Sequence, residues 1–212
     1  MNDILSELKL TLPFDAIFAT REIDELSLDL ANGLSAEEQA ELSSFSNEKR
    51  KQEFVTSRLL LREMAGQLDP HLQNFRIYKN ELGNPFSEAD GKTYEVSIAH
   101  TKYNVFCGLS RTRAIGIDME PAGRKVTNRL RSRMMHPAEK ERDASVSTIR
   151  LWTVKEAYIK LRGQGLRLNM NEVNVKREGD RLFAAFDNEK KAKICSFQYQ
   201  NQWLAIAYYL ET

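Results

Sequence analysis

Cysteine is scarce: the 212 residues include two, Cys107 and Cys195, each inside an apolar run. Two thiols in such settings read as reduced, buried side chains of a cytoplasmic protein and offer no disulfide framework. Net charge is nearly absent as well. Thirty-one Lys and Arg stand against 30 Asp and Glu, leaving +1, so no global field favours nucleic acid or an anionic membrane. No apolar run approaches the roughly 18–20 residues of a spanning helix. The first residues carry Asp3, Glu7 and Lys9 without a continuous apolar stretch, which is unlike a secretory signal. Prolines number only five, and no low-complexity linker interrupts the chain. What is there is a globular composition, 42% hydrophobic and 29% charged. At this length it can bury a core as one large domain or two small ones.

The chain reads as a long helix followed by strands, twice. Residues 14–19 alternate as a strand. Ser35-Ala36-Glu37-Glu38 has capping-box spacing and predicts a helix start at Ser35. A long helix over 47–67 follows, with Phe54, Leu61, Met64, Ala65 and Leu68 on its apolar face. Strands are predicted at 75–78, 94–98 and 105–109, with turn chemistry over Asn80–Pro85. A further strand carries Asp118 and ends at Pro121. A second long helix, 148–162, is closed by Gly163. Strands at 172–176, 181–186, 194–199 and 203–210 follow. The last is almost continuously apolar and is therefore expected inside its sheet. The expected class is α+β, in two similar lobes, 1–112 and 113–212, packed as one body.

Two short stretches bear chemistry. In Gly116-Ile117-Asp118-Met119-Glu120, Asp118 and Glu120 share one side of a strand, and Ile117 and Met119 take the other. Two parallel carboxylates repel unless a cation or proton lies between them. Alone, the pair reads equally as a solvated strand end. In the second helix, Trp152, Glu156 and Lys160 are four apart and form one stripe. Alone, Glu156 and Lys160 read as a surface ion pair worth roughly 0.3–0.5 kcal/mol, although the indole one turn earlier argues for partial burial. If strand and helix face each other, three carboxylates and an ammonium share a cleft that suits a hard cation and a phosphate-bearing substrate. A third feature is charge. Pro121–Arg142 holds Arg124, Lys125, Arg129, Arg131, Arg133, Lys140 and Arg142 against Glu139 and Glu141, a local +5. Aromatic residues are almost absent from it, which argues against nucleic acid.

Jointly, these stretches resemble the signature of the 4'-phosphopantetheinyl transferases. The family's hydrophobic-Gly-hydrophobic-Asp-hydrophobic-Glu run is met by Ile115–Glu120. Its Trp-Ser/Thr-x-Lys-Glu-Ala/Ser-aromatic-x-Lys-x-x-Gly-x-Gly motif is filled at every fixed position by Trp152–Gly165. Length and the two-lobed pattern resemble the larger, monomeric branch that activates peptide and polyketide synthetases, whose lobes form an intramolecular pseudo-dimer. The resemblance reaches, more weakly, into the first half: Glu48-Lys49-Arg50, Arg58, Leu82-Gly83-Asn84-Pro85 and Ser97-Ile98-Ala99-His100. The pattern departs at Asn84, where the family has lysine, and at Ala99, where it has serine. Lys79 and Lys102 are candidates for the missing charge.

The resemblance implies transfer of the 4'-phosphopantetheine arm of coenzyme A to a serine of an apo acyl or peptidyl carrier protein, releasing 3',5'-adenosine bisphosphate. It implies Mg²⁺, with Mn²⁺ as an alternative, held by Asp118, Glu120 and Glu156. Glu156 is the implied base, directly or through water, with Lys160 at the leaving phosphate. Lys49 and Arg58 are implied contacts to the 3'-phosphate, His100 and Lys155 further phosphate contacts, and Gly83, Asn84 and Pro85 part of the coenzyme A seat. His71 and His136 are given no role. Carriers of this class are acidic, so the basic stretch over 124–142 is the expected docking surface, with Met134 and Met135 as adaptable apolar contacts. Two other readings fit the same residues: a metal-dependent phosphodiesterase with water as nucleophile, and a degenerate module that only binds coenzyme A or a carrier.

Overall fold

The computed structural model describes residues 2–3, 12–23, 25–140, 146–164, 169–187 and 189–210. The chain divides into two compact units, Met1–Thr112 and Arg113–Thr212. Each is an antiparallel sheet carrying one long helix, so the protein is α+β as the sequence predicts.

In the first unit, strands β1 (Asn2–Asp3), β2 (Ala16–Glu22), β3 (Arg76–Lys79), β4 (Pro85–Ala89), β5 (Lys92–His100) and β6 (Asn104–Ser110) form one sheet in the order β1-β2-β6-β5-β4-β3. A 3-10 segment, Glu25–Gly33, and helices α1 (Ala36–Ser44) and α2 (Glu48–Leu68) connect β2 to β3. The capping box starts α1: Ser35 Oγ accepts from the Glu38 amide at 3.2 Å, and the Ser35 amide donates to the Glu38 carboxylate at 3.0 Å. The Asn47 side chain opens α2, accepting from the Arg50 amide at 3.1 Å, which satisfies a donor the helix itself leaves orphaned. Leu60, Leu61 and Met64 are fully buried against Ile17, Ala19, Val105 and Cys107, each contributing about 1.5–3 kcal/mol of transfer free energy. Asn80 Oδ1 accepts from the amides of Leu82 and Asn84, so 80–84 is the predicted turn. Pro85, however, opens strand β4, paired with Lys79; a proline is tolerated at a strand's first residue.

The second unit runs β7 (Ile115–Pro121), α3 (Asn128–Met134), α4 (Pro137–Lys140), α5 (Thr148–Arg162), a 3-10 turn at Met170–Glu172, then β8 (Val173–Glu178), β9 (Arg181–Phe186), β10 (Ala192–Tyr199) and β11 (Gln202–Tyr209). Its sheet order is β7-β11-β10-β9-β8, so the apolar strand β11 lies inside, as expected. Ser147 Oγ caps α5 by accepting from the Arg150 amide at 3.3 Å. Gly163, at φ 66°, ends it in the left-handed region, where glycine carries no Cβ penalty. Val154, Ala157, Tyr158 and Leu161 of α5 are buried with Ala205 and Ala207 of β11. The helix also rests directly on β7. A Cβ built on Gly116 would stand 2.0 Å from the Ala157 carbonyl oxygen and 2.3 Å from the Leu161 nitrogen. Only a glycine permits that approach, and it sets how near α5 comes to the strand bearing Asp118.

Candidate active site

Because side chains alternate along a strand, Asp118 shares the helix-facing side of β7 with Gly116. Asp118 is 8% exposed, and its Oδ1 accepts from Lys160 Nζ at 2.9 Å. Trp152, Glu156 and Lys160, the predicted stripe of α5, are all half-buried. Glu120, one step along the strand, pairs with Arg124, whose guanidinium also lies 5.2 Å from the centre of the Trp152 ring. Strand and helix thus bring Asp118, Glu120, Glu156 and Lys160 together, and add Arg124. The four-residue spacing from Glu120 was the available signal for Arg124, and sequence reasoning counted it only as part of the basic stretch. Gly165 lies outside the described residues, as do Glu141 and Arg142.

Burial is the largest influence on the two inner carboxyls. It pushes Asp118 above the ordinary carboxylate range, with Glu120 adding to the rise and Lys160 opposing it. Glu156 is likewise raised, first by burial and then by Asp118 and Glu120, against Lys160 and Arg124. A raised carboxylate is a stronger base, and mutual repulsion among carboxylates marks a place where a cation would be stabilised. Asp118 Oδ2 is buried and, among the described residues, meets no donor within normal hydrogen-bond geometry, a hard oxygen that a divalent ion would satisfy. The donor set therefore fits Mg²⁺ chemically. Asp118 and Glu120 are nonetheless turned toward Lys160 and Arg124 respectively. Among the described residues, no three His, Cys, Asp or Glu side chains converge as a metal cluster.

Lys155 is placed elsewhere. It is fully buried, and its Nζ donates to Glu139 Oε2 at 2.7 Å, the Met134 carbonyl at 2.8 Å and the Met170 carbonyl at 3.1 Å. All three ammonium protons are committed, which leaves none for the phosphate contact expected of it. Met134 is similarly corrected: at 1% exposed it belongs to the core and offers no docking contact, whereas Met135 is half-buried.

The first unit contains a cavity of about 250 Å³ lined by the cations Arg50, Arg58 and Lys79 and by His100, with Glu53 the one carboxylate among the lining residues. Phe45, Phe54, Gly83 and Pro85 supply further walls. Arg58 is 4% exposed. Its guanidinium stacks 4.4 Å over the Phe54 ring, and its Nε stands 3.5 Å from Glu38 Oε1. His100 Nδ1 is 3.5 Å from Glu53 Oε1. Of the residues expected here, Arg58, Gly83, Pro85 and His100 meet at the cavity. Lys49 instead approaches Glu53 at 3.9 Å from outside the lining, and Asn84 holds the β3–β4 turn. Lys79, opposite Pro85 in register, brings a cation to the wall beside Asn84. Lys102 lies over Tyr103 at 4.8 Å and does not line the cavity.

The model of the 4'-phosphopantetheinyl transferase superfamily matches residues 114–208, the span from β7 to β11 that holds Asp118, Glu120, Glu156 and Lys160. The 4'-phosphopantetheinyl transferase gsp of Aneurinibacillus migulanus is 27% identical over 170 residues, 76% of this chain and 70% of that protein. The 4'-phosphopantetheinyl transferase HetI of a Nostoc species is 32% identical over 154 residues, 65% of this chain and 63% of that protein. From β7 to β11 the chain is similar to the 4'-phosphopantetheinyl transferase superfamily. Both signature stretches come from the one unit in which β7 and α5 touch at Gly116. The cation-lined cavity lies in the first unit, ahead of the matched span.

Proposed function

We propose that the protein is a 4'-phosphopantetheinyl transferase of the larger, two-lobed type. It moves the phosphopantetheine arm of coenzyme A to a serine hydroxyl of an apo acyl or peptidyl carrier protein and releases 3',5'-adenosine bisphosphate. The observation that carries this reading is the meeting of Asp118, Glu156 and Lys160 where α5 rests on Gly116, in a chain similar to this superfamily. The serine Oγ–phosphorus bond forms and the bond from that phosphorus to the bisphosphate oxygen breaks. Glu156, its basicity raised by burial, takes the serine proton. Lys160, held 2.9 Å from Asp118, supplies positive charge, or a proton, to the leaving phosphate. Asp118, Glu120 and Glu156 would hold Mg²⁺ or Mn²⁺, which when bound neutralises pyrophosphate charge and polarises the phosphoryl group.

The first unit's role in this proposal is to grip the nucleotide end. Arg50, Arg58, Lys79 and His100 oppose the charge of the 3'-phosphate and pyrophosphate, and arginine's fork suits a phosphate monoester. In the second unit, Arg124, Lys125, Arg129, Arg133 and Lys140 are exposed and would meet an acidic carrier. Glu139 subtracts nothing from that surface, because it is buried. No helix among the described residues is long and apolar enough to cross a membrane. The proposed setting is cytoplasmic and the working form a monomer.

The test is mass spectrometry of several bacterial apo carriers incubated with the protein, coenzyme A and Mg²⁺ or Mn²⁺. A gain of one phosphopantetheine is expected, and none with Asp118→Ala. Carriers that all stay unmodified sink the proposal. Release of free phosphopantetheine without a carrier makes the enzyme a phosphodiesterase instead.

A further inference from the structure

Lys155 stands next to Glu156 in sequence yet serves a different part of the molecule. Adjacent helix positions are about 100° apart around the axis, so Glu156 faces the acidic corner and Lys155 faces away. Its partners come from three separate segments: Met134 at the end of α3, Glu139 in α4, and Met170 in the turn before β8. Glu139 extends the tie. Its Oε2 also accepts from the His136 amide at 2.9 Å, and its Oε1 from the Val175 amide at 2.8 Å. One buried ion pair thus knots α3, α4, β8 and α5. Both side chains are almost fully enclosed. Burial weakens the lysine's hold on its proton, and Glu139 opposes that loss without cancelling it.

Burying such a pair is a poor way to gain stability, since desolvation consumes most of the attraction. It is a good way to fix geometry, because each partner has a full set of directional bonds. The segment it fixes is the basic one. Thr127 caps α3, which carries Arg129, Arg131 and Arg133, and α3 ends on the carbonyl that Lys155 holds.

We propose that Lys155 and Glu139 are positioning residues that lock the basic α3–α4 segment onto α5, so that a carrier docked on the segment presents its serine to Glu156. The role assigned to the carrier rests on the transfer reading above; the lock itself does not. Lys155 touches neither reactant.

The test pairs Lys155→Met with Glu139→Gln, which removes both charges and leaves an acceptor for the Val175 amide. Circular dichroism confirms the fold. Three quantities are then read. Hydrogen exchange at the amides of 129–134 should accelerate about tenfold or more. The coenzyme A Kd, by calorimetry, should stay within about twofold. The carrier KM should rise while the coenzyme A KM holds, with kcat/KM for the carrier falling about 100-fold, the scale set by roughly 1 Å of misplacement. A smaller folded fraction lowers kcat alone and moves neither KM. Should the double variant not fold, Glu139→Gln alone carries the exchange measurement, since it leaves the ammonium its two carbonyl acceptors. Unchanged exchange at 129–134 in a folded variant overturns the lock, whether or not the wild type transfers anything. Coenzyme A affinity lost with carrier KM unchanged would return Lys155 to the phosphate. A wild type that modifies no carrier defeats the transfer reading and leaves the exchange result to judge the lock.

Discussion

Replacing Gly116 with alanine tests the contact on which the acidic corner rests. The new Cβ would lie 2.0 Å from the Ala157 oxygen, 2.3 Å from the Leu161 nitrogen and 2.8 Å from the Leu161 Cα. All three are backbone atoms, so no side chain can swing aside. Ordinary contact begins near 3.4 Å, so α5 must retreat by about 1.4 Å or β7 must bend by as much. Overpacking of this kind costs about 3 kcal/mol, the upper end of its usual range. For a chain of this size that is a Tm lower by about 6–12 °C. The same retreat separates Lys160 and Glu156 from Asp118 and should cost transfer about 100-fold. Both tryptophans, Trp152 and Trp203, lie in the second unit, so urea unfolding followed by their fluorescence reports on this unit. Gly66→Ala is the control. It lies inside α2 with nothing within 4 Å of a new Cβ, and should stabilise by about 0.5–1 kcal/mol. A Gly116→Ala protein within 2 °C of wild type by the ~2–4 °C per kcal/mol scale, transferring normally, would refute the reasoning.

Three further outcomes are expected. Arg58→Ala should cost about 2–4 kcal/mol by circular dichroism in denaturant, from the lost Phe54 stacking and the weakened pairing of buried Glu38; an unchanged midpoint would mean Arg58 does not brace the cavity. Lys125→Glu with Arg129→Glu should raise the carrier KM several-fold and leave coenzyme A binding alone, and an unaltered carrier KM rejects the docking surface. Burial raises the Cys107 thiol to about 12 from an ordinary 9, so alkylation at pH 8 should reach it only on unfolding. Because the folded chain keeps that proton more tightly, its contribution to stability is intact below pH 9 and is lost between 9 and 12. Rapid native labelling of Cys107 contradicts this.

The long helices were legible because their apolar periodicity is sustained and Gly163 closes one of them, and the shorter α1 because Ser35 opens a capping box. Strand β11 was legible as an unbroken apolar run, and Asp118, Glu156 and Lys160 as spacings that a strand and a helix convert into shared faces. Strand β4 was not, because Pro85 follows a turn sequence and its neighbours lack alternation. Helix α3 was hidden in charge: Arg129, Arg131 and Arg133 give a solvated pattern, and only Met134 is buried. Lys155 was misread because neighbours in sequence were taken as neighbours in space, which helix geometry forbids. Gly116 stood in the signature, but its reason lies in the backbone of α5, some forty positions away. The cation-lined cavity draws on α2, β3, β4, β5 and β6, and no local pattern reports a wall assembled from five elements.

Among the described residues, strand β7 pairs with β11 and with no other strand of its sheet. Asp118 sits opposite Ala205, 87 positions later. On a ribosome, the strand that bears the acidic corner therefore emerges with no partner and waits until residues 202–209 have been made. The first unit closes its own sheet with β6 at Ser110, before most of the second has left the tunnel. Vectorial synthesis thus finishes the cation-lined unit early and seats the carboxylates of the acidic corner last, through a long-range pairing of the kind that slows folding. A nascent or C-terminally clipped chain would hold a formed cation-lined cavity and no organised acidic corner.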